Sequence, residues 1–282
     1  MANTPSNNPS HVLLDVRVLV KQLNLQKSKI ATANFSHKMT EWSRNSLFAL
    51  LQEPAISKGG KIASLPRGVQ VFAARHPRAA ILATPGMDVW ALPSLTTPDV
   101  AVCLWKTGHP DFPTIAMISV YSDQTLKTSI SMELQKITDY CASQEVPYVI
   151  GSDTNSHSVL WGCRYTDTRG EEYEDFIARL DLCVLNQGSL PTFQTSNRQS
   201  IINVSLVHSD LYDLAFGWEV SPSDFLSDHK CLQFEINLTQ MPIATVKNWQ
   251  RTDWPMFASC MIQKGVLWTP PPCGRSPLWT MR

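Results

Sequence analysis

Short apolar runs separated by polar turns occupy much of the chain, and their spacing predicts strands more often than helices. Strand-like alternation begins near Val12 in VLLDVRVLVKQLNL, and LFALLQEP is a fully apolar run that ends at Glu53 and Pro54. The runs VQVFAA, AAILAT, VAVCLW and TIAMISVYS follow, with proline- and glycine-containing turns between them. This order predicts an antiparallel meander rather than repeated β-α-β units.

Three segments have helical character. After Ser28, a residue type that favours the N-cap, KIATANFSHKMTEW predicts the first helix. Apolar residues recur at helical spacing from Ile130 to Cys141, and a third helix is predicted from Gly170 to Leu180. LCVLN, IINVSLVH, GWEV and KCLQFEI are again strand-like. Strands that alternate with helices in this way suit two packed sheets with helices on their outer faces.

The pattern divides the chain into three parts. Residues 1–11 are polar and predict a disordered leader, and residues 12–237 predict one large domain. Beyond that point the periodicity weakens and prolines accumulate. Residues 238–282 are therefore expected to be a linker or a truncated C-terminal extension.

Composition supports a buried core and narrows the possible partners. Of the 282 residues, 43% are hydrophobic and 17% charged, and the formal net charge is +0. Nucleic-acid-binding proteins usually carry a basic excess, so any basic surface here must be local. The seven cysteines contain no C-x-x-C pair, which disfavours zinc and a disulfide framework. Proline and aspartate interrupt the longest apolar stretches, so a soluble, intracellular protein without a membrane span is expected.

Two polar clusters carry the chemistry. Asp153 and Asn155 lie in GSDTNSH after the strand-like VPYVIG, and Asp228 and His229 lie in LSDHK before the strand-like CLQFEI. Such residues at strand ends can hold a divalent cation, activate water and contact a phosphate oxygen. Together they predict phosphodiester cleavage. Each cluster alone has an ordinary alternative: Asp-x-Asn is a common turn, Ser-Asp-His can brace a strand, and Glu53 can simply end one.

A series of motifs in a fixed order identifies a family. They are LNLQKSK, LLQEP, SVYSD, GSDTNSHSVLWG, RGEEYEDFI, VLNQGSLPTF, SIINVSL and LSDHK, and they extend from Val18 to Ile236. With them the chain resembles the endonuclease/exonuclease/phosphatase superfamily, and within it the endonuclease domain of non-LTR (LINE-type) retrotransposon polyproteins. The stretch WQRTDWPMF is similar to the segment that leads from that domain toward a reverse transcriptase.

The resemblance implies a fold and a metal. The expected fold is of the α/β (α+β) class, a four-layer α/β/β/α sandwich of two mostly antiparallel sheets flanked by helices. Glu53 becomes the principal Mg²⁺ ligand, beside Asn24 and with help from Asp228, and Mn²⁺ is a possible substitute. Mg²⁺ prefers few carboxylates together with waters and substrate oxygens, so this set is chemically reasonable. A strand-end hydrogen bond is the alternative for Asn24.

The resemblance also assigns catalytic roles. Asp153 would activate the attacking water or protonate the leaving 3′ oxygen, and Asn155 would hold the phosphate or that aspartate. His229 would stabilise the growing charge on the scissile phosphate. Tyr121 would donate its hydroxyl to a phosphate oxygen, although a tyrosine that closes a buried strand is an alternative. Asp228 would otherwise orient the neighbouring groups.

The remaining expectations concern DNA. Thr192 and the polar loop 194–200, with Arg198, would form a hairpin that reaches into a groove of double-stranded DNA. An ordinary solvated hairpin is the alternative. Basic residues that could contact phosphates, or simply be solvated, are Lys29, Lys38 and Arg44. The product would carry a 3′ hydroxyl for target-primed reverse transcription by the downstream polymerase of full-length relatives, which places the activity in the nucleus.

The chain departs from the family pattern at Asn203, in IINVSL, where the family has aspartate. That aspartate accepts a hydrogen bond from the catalytic histidine and stabilises its protonated form. We therefore hypothesise that cleavage is impaired. Two other functions stay open: a phosphatase or phosphodiesterase acting on small phosphorylated molecules, and a catalytically dead remnant that still binds DNA.

Overall fold

The computed structural model of the chain describes residues 16–42 and 45–238. Within these ranges the backbone forms three α-helices: α1 (Lys29–Trp42), α2 (Met132–Ser143) and α3 (Thr168–Arg179). The same ranges hold fourteen strands: β1 (Arg17–Asn24), β2 (Leu47–Gln52), β3 (Gln70–Phe72), β4 (Ala79–Ala83), β5 (Val89–Ala91), β6 (Val100–Lys106), β7 (Thr114–Tyr121), β8 (Tyr148–Asp153), β9 (Leu182–Val184), β10 (Phe193–Gln194), β11 (Gln199–Ser200), β12 (Asn203–His208), β13 (Ala215–Val220) and β14 (Leu232–Asn237). No helix among these residues is long and apolar enough to span a bilayer.

Each helix begins where a side chain accepts a backbone hydrogen bond from the first turn. Ser28 Oγ accepts from the backbone N–H of Ala31 at 3.1 Å, which confirms the N-cap predicted for α1. Ser131 caps α2 in the same way. Asp167 caps α3, where its Oδ1 accepts from the backbone N–H of Gly170 at 2.7 Å. The third helix therefore starts slightly earlier than the sequence predicts.

The strands form two six-stranded sheets. In the first sheet the order is β13-β14-β1-β2-β4-β3, and in the second it is β5-β6-β7-β8-β12-β9. Each sheet contains one parallel pair among antiparallel neighbours, β1 with β2 and β7 with β8. The chain crosses between the partners of each pair through a helix, α1 or α2. Strands β10 and β11 form a separate hairpin.

Three groups of buried apolar side chains define the layers. The central group draws side chains from both sheets, including Phe48 and Met117. Ile137 of α2 and Phe176 of α3 pack on the outer face of the second sheet. Phe35 of α1 packs on the outer face of the first. The chain is thus a four-layer α/β/β/α sandwich of two mostly antiparallel sheets flanked by helices, as predicted.

Two details differ from the sequence prediction. The predicted meander is divided between the sheets, because β3 and β4 join the first sheet while β6 and β7 join the second. The short strand β5 was not predicted; it has only three residues, which are partly or fully exposed. The predicted leader 1–11, the start of order near Val12 and nearly all of the predicted extension 238–282 lie outside the described residues.

Buried amides join the two sheets below the strand ends that carry the polar clusters. Gln22 of β1 donates to the backbone carbonyl of Ser152 at 3.0 Å. Gln52 of β2 donates to the carbonyl of Gly151 at 3.1 Å and to Ser119 Oγ at 3.0 Å. Both glutamines are fully buried. Because buried polar groups are costly unless paired, these bonds fix one alignment of the sheets.

The two sheets approach each other closely at Gly151 of β8. A Cβ atom added there would lie 2.8 Å from Cδ1 of Leu50 and 3.1 Å from Oε1 of Gln22. Both distances are shorter than van der Waals contact, so a side chain at this position would push the sheets apart.

We expect Gly151→Ala to lower the free energy of unfolding by about 1–3 kcal/mol, the usual cost of overpacking a well-filled core. Urea denaturation of purified protein measures it. Gly59→Ala is the control, because a Cβ there meets only Ser57 Oγ, at 3.9 Å. Equal stability of the two variants would show that the sheet contact at Gly151 relaxes without cost.

Candidate active site

The polar clusters meet at one edge of the sandwich, where the parallel pairs end. Asn24 lies opposite Gln52 at the end of the first pair, and Tyr121 lies opposite Asp153 at the end of the second. Glu53 follows β2 directly. The carboxyl ends of both parallel pairs therefore open into the same cleft, of about 780 Å³. Its lining includes Asn24, Glu53, Tyr121, Asp153, Asn155, Arg198 and His229.

Asn24 and Asp153 connect the two sheets at the floor of the cleft. Asn24 Nδ2 donates to Asp153 Oδ2 at 2.7 Å and lies 3.5 Å from Glu53 Oε2. Burial raises the pKa of Asp153 to about 7; the hydrogen bond from Asn24 opposes that rise and the Glu53 carboxylate adds to it. Among the described residues Asp153 Oδ1 has no hydrogen-bond partner although it is buried. This orphan oxygen is available to a ligand.

The donor set fits a hard divalent cation. No group of three or more histidine, cysteine, aspartate or glutamate side chains with metal-binding geometry occurs among the residues described. Mg²⁺ does not need one, because it is commonly held by one or two carboxylates with waters and phosphate oxygens. Glu53, Asn24 and the orphan oxygen of Asp153 supply that kind of set. Lys27 Nζ lies 3.0 Å from Glu53 Oε1 and would compete with a cation for that oxygen.

Tyr121 and Asn155 are positioned by the loops around them. Asn155 adopts a left-handed backbone conformation (φ 45°), and its Nδ2 donates to the carbonyl of Ser122 at 2.9 Å. Tyr121 is half-buried, and the guanidinium of Arg78 lies 5.0 Å from its ring centroid. Burial raises the pKa of Tyr121, and the carboxylates of Glu53 and Asp153 raise it further. The hydroxyl therefore keeps its proton at neutral pH and can donate a hydrogen bond.

His229 lies at the cleft with Asn203 behind it. His229 Nδ1 is 2.8 Å from Asn203 Oδ1, the amide oxygen of a fully buried side chain. Burial lowers the pKa of His229 to about 4, although the neighbouring Asp228 carboxylate acts in the opposite direction. Asn203 Nδ2 is buried and has no partner among the described residues. An aspartate here would exchange this donor for a second oxygen and place a negative charge beside His229 Nδ1.

Gln26 holds the Ser-Asp-His loop in place. Its Oε1 accepts from the backbone N–H of Asp228 at 2.9 Å, and its Nε2 donates to Asp228 Oδ2 at 3.1 Å. Ser227 Oγ donates to the carbonyl of Asn24 at 2.7 Å. Asp228 is exposed and does not line the cleft, because its carboxylate is turned toward Gln26. A role in orienting this loop fits that geometry better than metal binding.

The hairpin β10–β11 borders the cleft, but its two predicted DNA contacts differ. Arg198 is exposed at the tip and lines the cleft. Thr192 is fully buried, and its Oγ1 accepts from the backbone N–H groups of Ile202 and Asn203, each at 3.0 Å. A side chain without exposed surface cannot contact DNA directly, so the assignment of Thr192 as a DNA contact is corrected to support of the hairpin. Its neighbour Phe193 packs on His229, with ring centroids 4.8 Å apart.

The other predicted basic contacts lie apart from these groups. Lys38 donates to the carbonyl of Asp224 at 2.9 Å and lies 4.3 Å from the ring centroid of Phe225, so it is engaged within the protein. Lys29 is exposed at the start of α1 and does not line the cleft. Arg44 lies outside the described residues.

Several residues that shape the site were not singled out from the sequence. Gln26 and Lys27 are part of the LNLQKSK motif, so their place beside Asn24 was an available signal. Arg78, which also pairs with Asp99 and Asp123, had no local signal because all its partners are distant in sequence.

The RGE motif has a structural role. Arg169 donates to Ser122 Oγ at 2.8 Å and to the carbonyls of Leu126 and Thr154, at 2.6 and 3.4 Å. It therefore ties the loop after β7 to the loop after β8. Gly170 permits α3 to approach the second loop, because a Cβ there would lie 1.9 Å from the carbonyl oxygen of His157.

We expect Gly170→Ala to destabilise the protein by about 1–3 kcal/mol, as overpacking does. The sign of the stability change tests the close approach at Gly170, because a change from glycine to alanine inside a helix normally stabilises a protein by about 0.5–1 kcal/mol. Thermal and urea denaturation measure the change. Glu171→Ala, one residue along on the exposed surface, is the control. A stabilised Gly170→Ala variant would contradict the close approach.

Comparison with known proteins agrees with this geometry. A family model described as endonuclease-reverse transcriptase matches residues 115–233. The endonuclease domain of TRAS1, a telomere-specific non-LTR retrotransposon, is 30% identical, with a TM-score of 0.66 over 80% of this chain and 100% of that chain. An AP endonuclease from Leishmania major shares the fold at 13% identity, with a TM-score of 0.57 over 79% of this chain and 88% of that one.

Similarity also extends to longer proteins. The 115 kDa protein of the type-1 retrotransposable element R1DM of Drosophila melanogaster is 26% identical over 259 residues, which cover 86% of this chain and 25% of that protein. A Pol polyprotein of the type-1 element R1 from Bradysia coprophila is 25% identical over 218 residues, or 69% of this chain and 21% of that protein. The chain thus spans about a quarter of the length of the first curated relative.

Proposed function

Because the chain belongs to the endonuclease family of non-LTR retrotransposons, within the endonuclease/exonuclease/phosphatase superfamily, we propose that it is a divalent-metal-dependent endonuclease that nicks double-stranded DNA. The observation that carries the proposal is the contact of Asn24 with both Asp153 and Glu53 at the carboxyl ends of the two parallel pairs. One amide and two carboxylates meet there, in a cleft open to a large substrate.

Mg²⁺, with Mn²⁺ as a substitute, is the cation we propose for this site. Glu53 would hold it as principal ligand, with Asn24 and the free oxygen of Asp153 nearby. When bound, the cation would neutralise charge on the phosphate and favour ionisation of a water molecule. Asp228 would act indirectly, because its contact with Gln26 fixes the loop that carries His229.

The remaining polar side chains would act on the scissile phosphate. Asp153, whose pKa is about 7, can take a proton from the attacking water or return one to the leaving 3′ oxygen. Tyr121 would donate its hydroxyl to a phosphate oxygen. Asn155 would hold the phosphate or the loop that carries Asp153, since its amide already braces Ser122. Arg198 would contact the DNA outside the reacting group.

Asn203 is the basis for proposing that this activity is impaired. Its amide oxygen can accept the Nδ1 hydrogen of His229 and so fix the ring orientation. The amide carries no charge, however, so it cannot stabilise an imidazolium that develops as His229 meets the phosphate. In the serine-protease triad the analogous change lowers turnover by about 10⁴, which we take as an upper guide.

The product would be a nick with a 3′ hydroxyl, a primer for reverse transcription. In the full-length relatives, the polymerase of the same element would be the partner that extends it. Action on chromosomal DNA would take place in the nucleus. These proposals rest on the polyprotein relatives, of which this chain spans about a quarter or less.

Two other functions remain candidates for specific reasons. The +0 net charge favours a small phosphorylated substrate over DNA, whereas the hairpin at the border of the cleft favours a polymer. The orphan Nδ2 of Asn203 favours a remnant that binds DNA without cutting it. Supercoiled plasmid, tested with and without Mg²⁺, separates the endonuclease from both.

We expect Glu53→Ala to reduce plasmid nicking by at least ~10²-fold, comparable to the loss of one preorganised transition-state contact. Binding of the same DNA, measured without Mg²⁺, should change little, because Glu53 itself makes no contact with a phosphate. Gel electrophoresis of nicked circles and fluorescence anisotropy measure the two quantities. Glu41→Ala, on an exposed turn of α1, is the control. Nicking that survives in Glu53→Ala would assign the activity to another site or a contaminant.

We expect Asn203→Asp to increase plasmid nicking in Mg²⁺ by at least ~10-fold, well below the ~10⁴ guide value. The carboxylate removes the orphan donor and supplies the missing charge behind His229. Asn34→Asp, on the outer helix, controls for added negative charge. No gain over the unaltered protein would place the defect elsewhere or show that there is none.

A further inference from the structure

A second histidine, His157, lines the same cleft but has no part in the proposed cleavage steps. It lies in the loop between β8 and α3, and its side chain is 28% exposed. Its Nδ1 lies 2.9 Å from Asp167 Oδ2, and its backbone N–H donates to the same oxygen at 3.1 Å. The carboxylate therefore holds the residue by both main chain and side chain.

Three further contacts fix this histidine. The backbone N–H of Asp167 donates to the His157 carbonyl at 3.0 Å. The ring of Tyr165 stacks on the imidazole, with centroids 5.0 Å apart and planes 20° apart. Gly170 packs against the same carbonyl with no room for a side chain. His157 is thus held in one orientation before any substrate arrives, which lowers the entropic cost of binding.

The geometry determines which atom a ligand would meet. Nδ1 is committed to Asp167, so Nε2 is the ring nitrogen left for a ligand. When the imidazole paired with this carboxylate is protonated, Nε2–H can donate to an anionic oxygen, and such charge-assisted bonds are among the stronger ones. His229, backed by an amide, lacks this arrangement. The cleft therefore has two histidines, and the one backed by a carboxylate is His157.

We propose that His157 Nε2 contacts a backbone phosphate of the bound DNA next to the scissile one, with Asp167 as its positioning residue. This inference rests on the proposed function, since it names a further contact of the same substrate. We favour a phosphate over a base edge as the partner of Nε2. Contacts to phosphates supply most of the affinity for DNA, and because the chain has no basic excess, side chains held rigidly in the cleft must provide these contacts.

Binding of a fluorescein-labelled DNA duplex, measured by anisotropy without divalent cations so that no cleavage occurs, tests the proposal. We expect His157→Ala to weaken binding by about tenfold, as for loss of one hydrogen bond to a charged group. Asp167→Asn keeps a side chain that can cap α3 but removes the charge. It should weaken binding by a smaller factor, and neither variant should lose its folded near-UV spectrum.

The chain contains a closely matched control. His208 also lies near an aspartate, with Nδ1 3.3 Å from Asp210 Oδ2, and is 26% exposed. Its ring centroid lies 5.5 Å from that of Tyr148, at the start of β8 and therefore far from the cleft. His208→Ala should leave DNA affinity unchanged. An equal loss of affinity in both alanine variants would show that the effect is structural and would overturn the proposal.

Neutral phosphates separate a direct contact from indirect support. Single methylphosphonates are placed around the nick mapped with the unaltered protein or with Asn203→Asp. A methylphosphonate at the contacted phosphate should weaken binding of the unaltered protein. It should not weaken binding of His157→Ala any further, as in a double-mutant cycle. Equal sensitivity of both proteins to every substitution would overturn the contact. If neither the unaltered protein nor Asn203→Asp nicks DNA, the DNA affinities of His157→Ala and His208→Ala decide whether the proposal holds.

The outcomes distinguish this inference from the proposed function. If the unaltered protein binds or nicks DNA and His157→Ala behaves identically, the inference fails and the proposed function stands. If the unaltered protein neither binds nor nicks duplex DNA, both fail together.

Discussion

The hydrogen bond between Asn24 and Asp153 sets the geometry on which the site depends. It joins the end of one sheet to the end of the other, with both side chains almost fully buried. Below it, Gln22 and Gln52 repeat the same kind of link from first-sheet side chains to second-sheet backbone. Two apolar sheet faces could slide over each other at small cost, whereas buried amides lose their partners if they move. The distance between Asn24 and Asp153 is therefore fixed by the core.

The buried polar atoms without partners are informative because they are few and concentrated. Three of those found among the described residues lie on the facing ends of the two sheets: Asp153 Oδ1, Asn203 Nδ2 and Gln52 Oε1. A folded protein normally pairs such atoms, so each marks a place where a partner belongs or has been lost. Asp153 lines the cleft, so its unpaired oxygen suits a ligand. Asn203 does not line the cleft, so its unpaired nitrogen fits the substitution that we propose as the cause of impaired cleavage.

The sequence was most informative where local pattern and chemistry coincide. Periodicity, with Ser28 as a capping residue, predicted the three helices and most long strands. Strand ends indicated Glu53, Asp153 and His229, and the family resemblance added Asn24. The division of β3, β4, β6 and β7 between two sheets could not be predicted, because alternation within a strand does not specify its neighbours. Burial of Thr192, the turn of Asp228 toward Gln26 and the pairing of His157 with Asp167 likewise depend on contacts between separate loops or strands.

The impairment that we propose for Asn203 would leave the endonuclease scaffold intact and lower only its rate. Aspartate and asparagine have nearly the same shape, and the amide oxygen keeps the 2.8 Å contact with His229. The register of Asn203 against Asp153 involves only backbone atoms, so the strand pairing does not depend on the charge. What changes is one buried orphan donor, a cost of about 1–3 kcal/mol, and the electrostatic support of a single imidazole. The residues that hold the sheets together, Gln22, Gln52 and Gly151, are unaffected by either change. The proposed impairment therefore separates folding from catalysis at this position, since a change from aspartate to asparagine removes charge and leaves shape.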